Sequence, residues 1–179
     1  MKNLFYPGAA LLLVLASAFT FIQSQNWKIA DDYSIKFSSQ DPSGVFKGLK
    51  GNVVFDDKNL AASKFEVSVD VASINTGNGM KNTHAKSAMW FDAEKYPLIT
   101  FASKEIVAAG TGYTAKGVLE IHGVKKDFSI PFSYKPTATG ALFTSSFDVN
   151  RLDFNINAAE PNHGATIIKV ELNIPVTKS

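Results

Sequence analysis

The stretch Phe65-Glu66-Val67-Ser68-Val69-Asp70-Val71 decides the fold. Its apolar side chains fall on every second residue and its polar ones between them. Successive side chains of an extended chain point to opposite faces, so one face is dry and the other wet. That is the pattern of a half-buried antiparallel strand. It returns at Phe128, Ile130, Phe132 and Tyr134, and again at Ile168, Val170, Leu172, Ile174 and Val176 against Lys169, Glu171, Asn173 and Thr177. Weaker strands read at Trp27 to Ser38, Val45 to Phe55, Ile99 to Val107, Tyr113 to Ile121 and Phe143 to Ile156, the last interrupted near Asn150. Turn residues separate them: Asp41-Pro42-Ser43-Gly44, Asp56-Asp57-Lys58-Asn59, Gly110-Thr111-Gly112, His122-Gly123 and Thr139-Gly140. About eight strands at such spacing predict an all-β domain, either a closed barrel or a sandwich.

One segment departs from this period. Between Asn78 and Pro97, the residues Thr83 to Phe91 favour a short helix, with Asn82 or Thr83 as its cap and Pro97 leading into the next strand. Met89, Trp90 and Phe91 on that segment read equally as a lid over a barrel mouth or as a plug in the core.

The chain has 179 residues, enough for one domain with its own core. Eighteen basic residues against sixteen acidic ones leave a net charge of +2, too weak a field for a nucleic-acid binder that works by neutralising phosphates. There is no cysteine, which removes disulfides, thiolate metal sites and cysteine nucleophiles. The three histidines, His84, His122 and His163, lack any short ligand spacing, and no nucleophile elbow, phosphate loop or dinucleotide fingerprint occurs. The expectation is therefore a protein with no catalytic residues, metal or cofactor. Fourteen phenylalanines in so short a chain are the compositional anomaly.

The N-terminus reads as an address. Lys2 is followed by an apolar run from Gly8 to Leu15 and by Ala16-Ser17-Ala18, the order of a secretory signal peptide. Residues 1–18 are expected to be removed, with a cut as late as residue 24 also open, leaving a domain over 25–179 that is periplasmic or secreted. An uncleaved anchor is the other reading.

Four groups of residues carry a resemblance. They are Ser73-Ile74-Asn75-Thr76-Gly77-Asn78 with Asn82-Thr83-His84; Ser87-Ala88-Met89-Trp90-Phe91-Asp92 with Lys95-Tyr96-Pro97-Leu98-Ile99-Thr100-Phe101-Ala102-Ser103; Gly117 to Lys126; and Val45 to Gly51. By these four groups, in their order along the sequence, the chain from about Trp27 to Thr177 resembles the YceI-like family. That resemblance implies an extended, lipocalin-like antiparallel barrel, exported from the cytoplasm, around a long apolar ligand such as a polyisoprenoid, an isoprenoid quinone or a fatty-acid derivative. The chain departs from the family pattern where D-x-H is replaced by Asn82-Thr83-His84 and where the first Phe of F-F-D is Trp90.

On this reading the lipid would be held by Phe65, Val67, Val69, Trp90, Phe91, Phe101, Leu119, Phe128, Ile130, Phe143, Phe147, Val170 and Leu172, and its head group by Asn78, Asn82, His84 and Ser87. The expected partner is an isoprenoid-type or other long-chain lipid, with no nucleic acid and no stable membrane span; a homodimer is left open. Two competing readings stand beside it. One is an envelope interaction module whose barrel is filled by its own side chains, and the other is an enzyme acting on a lipid-like substrate.

Overall fold

The computed structural model describes residues 25–40, 42–162 and 164–179. The signal-peptide reading over 1–18, Asp41 and His163 all lie outside them. The strands are β1 (Asn26–Ile29), β2 (Ser34–Ser38), β3 (Gly44–Phe46), β4 (Lys50–Val54), β5 (Lys64–Asp70), β6 (Leu98–Ala109), β7 (Gly112–Ile121), β8 (Val124–Pro136), β9 (Gly140–Asn150) and β10 (Ile167–Lys178). All pairings are antiparallel, and β1 returns to pair with β10, which closes the sheet into a barrel.

The ring has eight members because two of its strands are broken. β1 and β2 lie end to end along β10, with Ile29 opposite Val176 and Ser34 opposite Asn173. β4 pairs with β1 and β3 with β2 in the same way. Beyond β5 the wall is continued by Asn75, whose N–H and C=O both bond Val45 on β3 at 2.9 Å. Closure removes the exposed edges that an open sheet would present.

Two turns show how local chemistry sets the register. The β7–β8 connection is only His122-Gly123, with φ of 53° and 72°. Positive φ at both central residues is the geometry that matches the twist of a hairpin, and glycine reaches it without steric cost. Lys104 is the extra residue of a bulge in β6, between the paired positions Ser103 and Glu105. Opposite it, a Cβ on Gly117 would lie 2.2 Å from the Ala102 carbonyl oxygen, so only glycine fits.

One seam of the barrel is incomplete. β7 and β8 pair at nine positions and β9 and β10 at eleven, but β8 and β9 pair at only four, from Pro136 opposite Ala141 to Ser133 opposite Thr144. Past Ser133 and Thr144 the two strands carry no ladder between them.

The helix departs from its sequence-based position. α1 runs Gly79–Lys86, not Thr83 to Phe91, and its cap is Asn78, whose side-chain oxygen accepts the Lys81 N–H at 3.0 Å. Asn82 lies inside the helix and accepts instead from the Thr76 N–H and hydroxyl. The chain leaves the helix at Ser87 and turns through Asp92, at φ 45°, before any further helical turn can form. Val71, read as the last residue of the first strand, opens a 3-10 turn over Val71–Ser73, because Asp70 accepts the Ala72 N–H with its side chain.

Candidate functional site

The alternation that makes the strands also fills one end of the barrel. Phe55 is fully buried at the end where β4 stops and β5, β7 and β9 begin or turn. Around it stand Phe65, Tyr113, Phe132, Tyr134 and Phe143, with ring centroids 4.8 to 6.2 Å from its own. Edge-to-face and tilted rings at these spacings add to the burial of their own area. Trp27 closes the cluster by donating its indole N–H to the Phe55 carbonyl at 2.9 Å. Part of the phenylalanine excess is therefore a plug. Burial holds the Tyr134 hydroxyl above its ordinary pKa of 10.0, helped by the nearby negative charges of Asp57 and Asp56.

The opposite end is capped by chain that leaves the barrel. Ile74, Phe154 and Ile156 are buried there. Arg151, itself buried, holds the segment after β9 together: its Nε donates to the Ala165 carbonyl, Nη1 to those of Ile156 and Asn157, and Nη2 to that of Pro161, at 2.7 to 3.1 Å. Its guanidinium carbon lies 5.6 Å from the Trp90 ring centroid. Arg151 went unread in the sequence because nothing in its neighbours marks it as buried.

Between plug and cap the barrel is hollow. A cavity of about 220 Å³ is lined by side chains from every strand of the ring. Of the residues expected to hold lipid, Phe65, Val67, Val69, Phe101, Leu119, Ile130, Phe143, Phe147, Val170 and Leu172 line it. The lining also includes residues that were not expected to hold lipid, among them Ile29, Ile35, Phe37, Phe46, Val53, Ile121, Val149 and Ile174. Their signal was present as shorter alternations, such as Ile35 with Phe37 and Phe147 with Val149. Thr144 and Ser145 are the hydroxyl-bearing members of a wall otherwise built of hydrocarbon and aromatic side chains.

Three of the expected residues stand outside the lining. Phe91 meets the lining residue Phe46 edge to face at 6.0 Å and so backs the wall. Trp90 is half-buried between Arg151 and His84, whose ring it meets at 6.1 Å. Phe128 packs its edge on Phe147 at 5.7 Å, and only Phe147 reaches the cavity. The helix shift explains the first two, since Trp90 and Phe91 belong to the turn after α1.

The four polar residues assigned to a head group lie on or beside α1 and none lines the cavity. Asn78 is occupied as the helix cap, Asn82 by Thr76, and the Ser87 hydroxyl by the His84 carbonyl at 2.7 Å. His84 is exposed. His122 sits in its hairpin turn with its ring 4.9 Å from that of Tyr96. Among the described residues no helix is long and apolar enough to cross a membrane, and no three His, Asp or Glu side chains group as a metal site would need.

Comparison with known proteins places this geometry. Residues 20–177 match the family model of the YceI-like domain. A UPF0312 protein of Photorhabdus laumondii is 36% identical over 83 residues, covering 46% of this chain and 43% of that protein. A UPF0312 protein of Yersinia pestis is 31% identical over 121 residues, covering 63% of this chain and 62% of its own length. The aligned stretches thus span less than two thirds of these curated relatives. Among solved structures, Burkholderia cenocepacia BcnA superposes with a TM-score of 0.79 at 25% identity, over 84% of this chain and 100% of that one. The Campylobacter jejuni YCEI protein superposes at 0.66 with 25% identity, over 79% and 87%. A polyisoprenoid binding domain from Saccharophagus degradans superposes at 0.63 with 16% identity, over 88% and 100%, a likeness of fold alone.

Proposed function

This chain belongs to the YceI-like domain family, and we propose that it binds a long apolar lipid inside its barrel, carrying or sequestering that lipid outside the cytoplasm without a chemical step. The lipid is a polyisoprenoid, an isoprenoid quinone or a fatty-acid derivative. The observation that carries the reading is the hollow between plug and cap, walled almost entirely by hydrocarbon. The polyisoprenoid binding named for the Saccharophagus degradans domain, whose fold this chain shares, supports the choice of ligand class. Export rests on the order of charge, apolar run and small residues in 1–18.

Desolvation supplies the affinity. Burying one methylene contributes about 0.8 kcal/mol, so a five-carbon isoprene unit contributes up to about 4 kcal/mol. Five units would total about 20 kcal/mol, the practical ceiling for non-covalent binding. The net is smaller because the tail gives up rotational freedom on entering the barrel. Half of it still keeps a ligand bound through purification.

The test is direct. Protein produced in an isoprenoid-rich cell is purified, extracted with organic solvent and examined by mass spectrometry. A stoichiometric long-chain lipid is expected, and its absence from repeated preparations overturns the reading.

A further inference from the structure

The incomplete seam between β8 and β9 has a cause in the sequence. The carbonyl of Pro131 accepts the Ser145 hydroxyl from β9. A residue's C=O and N–H point to the same side of a strand, so the side of Pro131 that faces β9 is the side where its N–H would have been. Proline has none, and the ladder stops there. The Ser145 side chain makes one bond across the gap where main-chain bonds would otherwise run. Farther along, Phe128 and Phe147 bridge the strands with rings alone.

Outside this seam is a second hollow, about 450 Å³ and wide open to solvent, whose lining mixes the apolar Ala109, Pro131 and Phe132 with hydroxyl-bearing residues of β7, β8 and β9 and includes no charged side chain. It shares Phe132, Thr144 and Ser145 with the inner cavity. These three residues stand on both faces of the wall, at and just beyond the last paired position of the two strands, Ser133 opposite Thr144.

We infer that the lipid's head group leaves the barrel sideways through this seam and sits in the outer hollow, and that it is an uncharged group with hydroxyl or carbonyl oxygens. This rests on the proposed function and locates its polar end. Serine and threonine hydroxyls both donate and accept, and of those here it is Ser145 whose hydroxyl is spent, on the Pro131 carbonyl. A diphosphate would find no cation among the lining residues to offset the loss of its hydration. The region of α1 offers less, because Asn78, Asn82 and Ser87 already spend their side chains on local bonds.

The chain has no cysteine, so a single introduced thiol reports its own position. Ser146→Cys places one at the rim of the outer hollow and Ser87→Cys places one beside α1; both serines are exposed. Each delipidated full-length variant is treated with N-dodecylmaleimide, an uncharged carbonyl head on an apolar tail, and with N-ethylmaleimide as the tailless reference. Alkylation rates are read by intact mass. The rate ratio of dodecyl to ethyl reagent is expected to be at least ten-fold higher at Ser146→Cys than at Ser87→Cys. An acceleration at Ser87→Cys instead overturns the lateral site while leaving a lipid-holding barrel in place. Equal ratios with no acceleration at either thiol overturn both the lateral site and the lipid-binding reading beneath it.

Discussion

Arg151 is the residue on which the capped end depends. A buried guanidinium is stable only when its fixed fork of N–H groups meets acceptors, and here the carbonyls of Ala165, Ile156, Asn157 and Pro161 supply them. Lysine has the same charge but no fork. Hydrogen bonds to a charged group contribute about 1.5 to 3 kcal/mol each, and leaving acceptors unpaired in the interior adds to the loss. Arg151→Lys is expected to lower stability by about 3 kcal/mol, read as a shift of the urea midpoint at unchanged slope. A loss under about 1 kcal/mol means that the segment after β9 is held by its apolar residues, with Phe154 and Ile156 foremost. Charge and composition could not announce this role, because a lone arginine between Asn150 and Leu152 reads as a surface residue until the chain is folded over it.

Elements form where side-chain period and main-chain bonding agree, and β8 shows the effect of a conflict between them at one residue. Phe128, Ile130, Phe132 and Tyr134 keep strict alternation, which made the strand legible at once. Pro131 sits among them and was silent in that reading, since alternation records where side chains point and says nothing of a missing N–H. Pro131→Val restores the donor on the side that faces β9. One added hydrogen bond contributes about 0.5 to 1.5 kcal/mol, while losing proline's restriction of the unfolded chain costs about 0.4 to 1 kcal/mol. The two nearly cancel, so stability is the wrong measurement. Amide hydrogen exchange is the right one: the residues of β8 and β9 beyond Ser133 and Thr144 are expected to become at least ten-fold slower, and unchanged exchange would show that the gap is set by packing of Phe128 and Phe147. α1 was misplaced for a related reason. Helix propensity pointed to Ala85, Ala88 and Met89, but the bond from Lys81 to the Asn78 cap sets the start and the left-handed turn at Asp92 sets the limit.

At the scale of the whole molecule, the alternating pattern fixes which side chains face inward, but it cannot say whether they meet. Fourteen phenylalanines would serve a solid core or a lined hollow equally well. The barrel divides their work: Phe55 is enclosed by rings, Phe65, Phe132 and Phe143 pack on it and also line the hollow, and Phe37, Phe101 and Phe147 line the hollow away from it. That division depends on the circumference of the ring and on where β1–β2 and β3–β4 break, which are properties of eight strands together and of no one of them. Val69 on β5 separates the two cases because it lies on the lining and away from the plug. Forcing a larger side chain into a packed interior costs about 1 to 3 kcal/mol through displaced rotamers and backbone. In the hollow the indole of Val69→Trp replaces ligand volume and buries its own apolar surface, which offsets the strain. The variant is expected to fold with less than about 1 kcal/mol lost by urea denaturation, and to carry at least five-fold less extractable lipid than the unaltered chain. Loss of about 2 kcal/mol or more with lipid retained would mean that the side chain at 69 packs against protein, and that any lipid is held elsewhere.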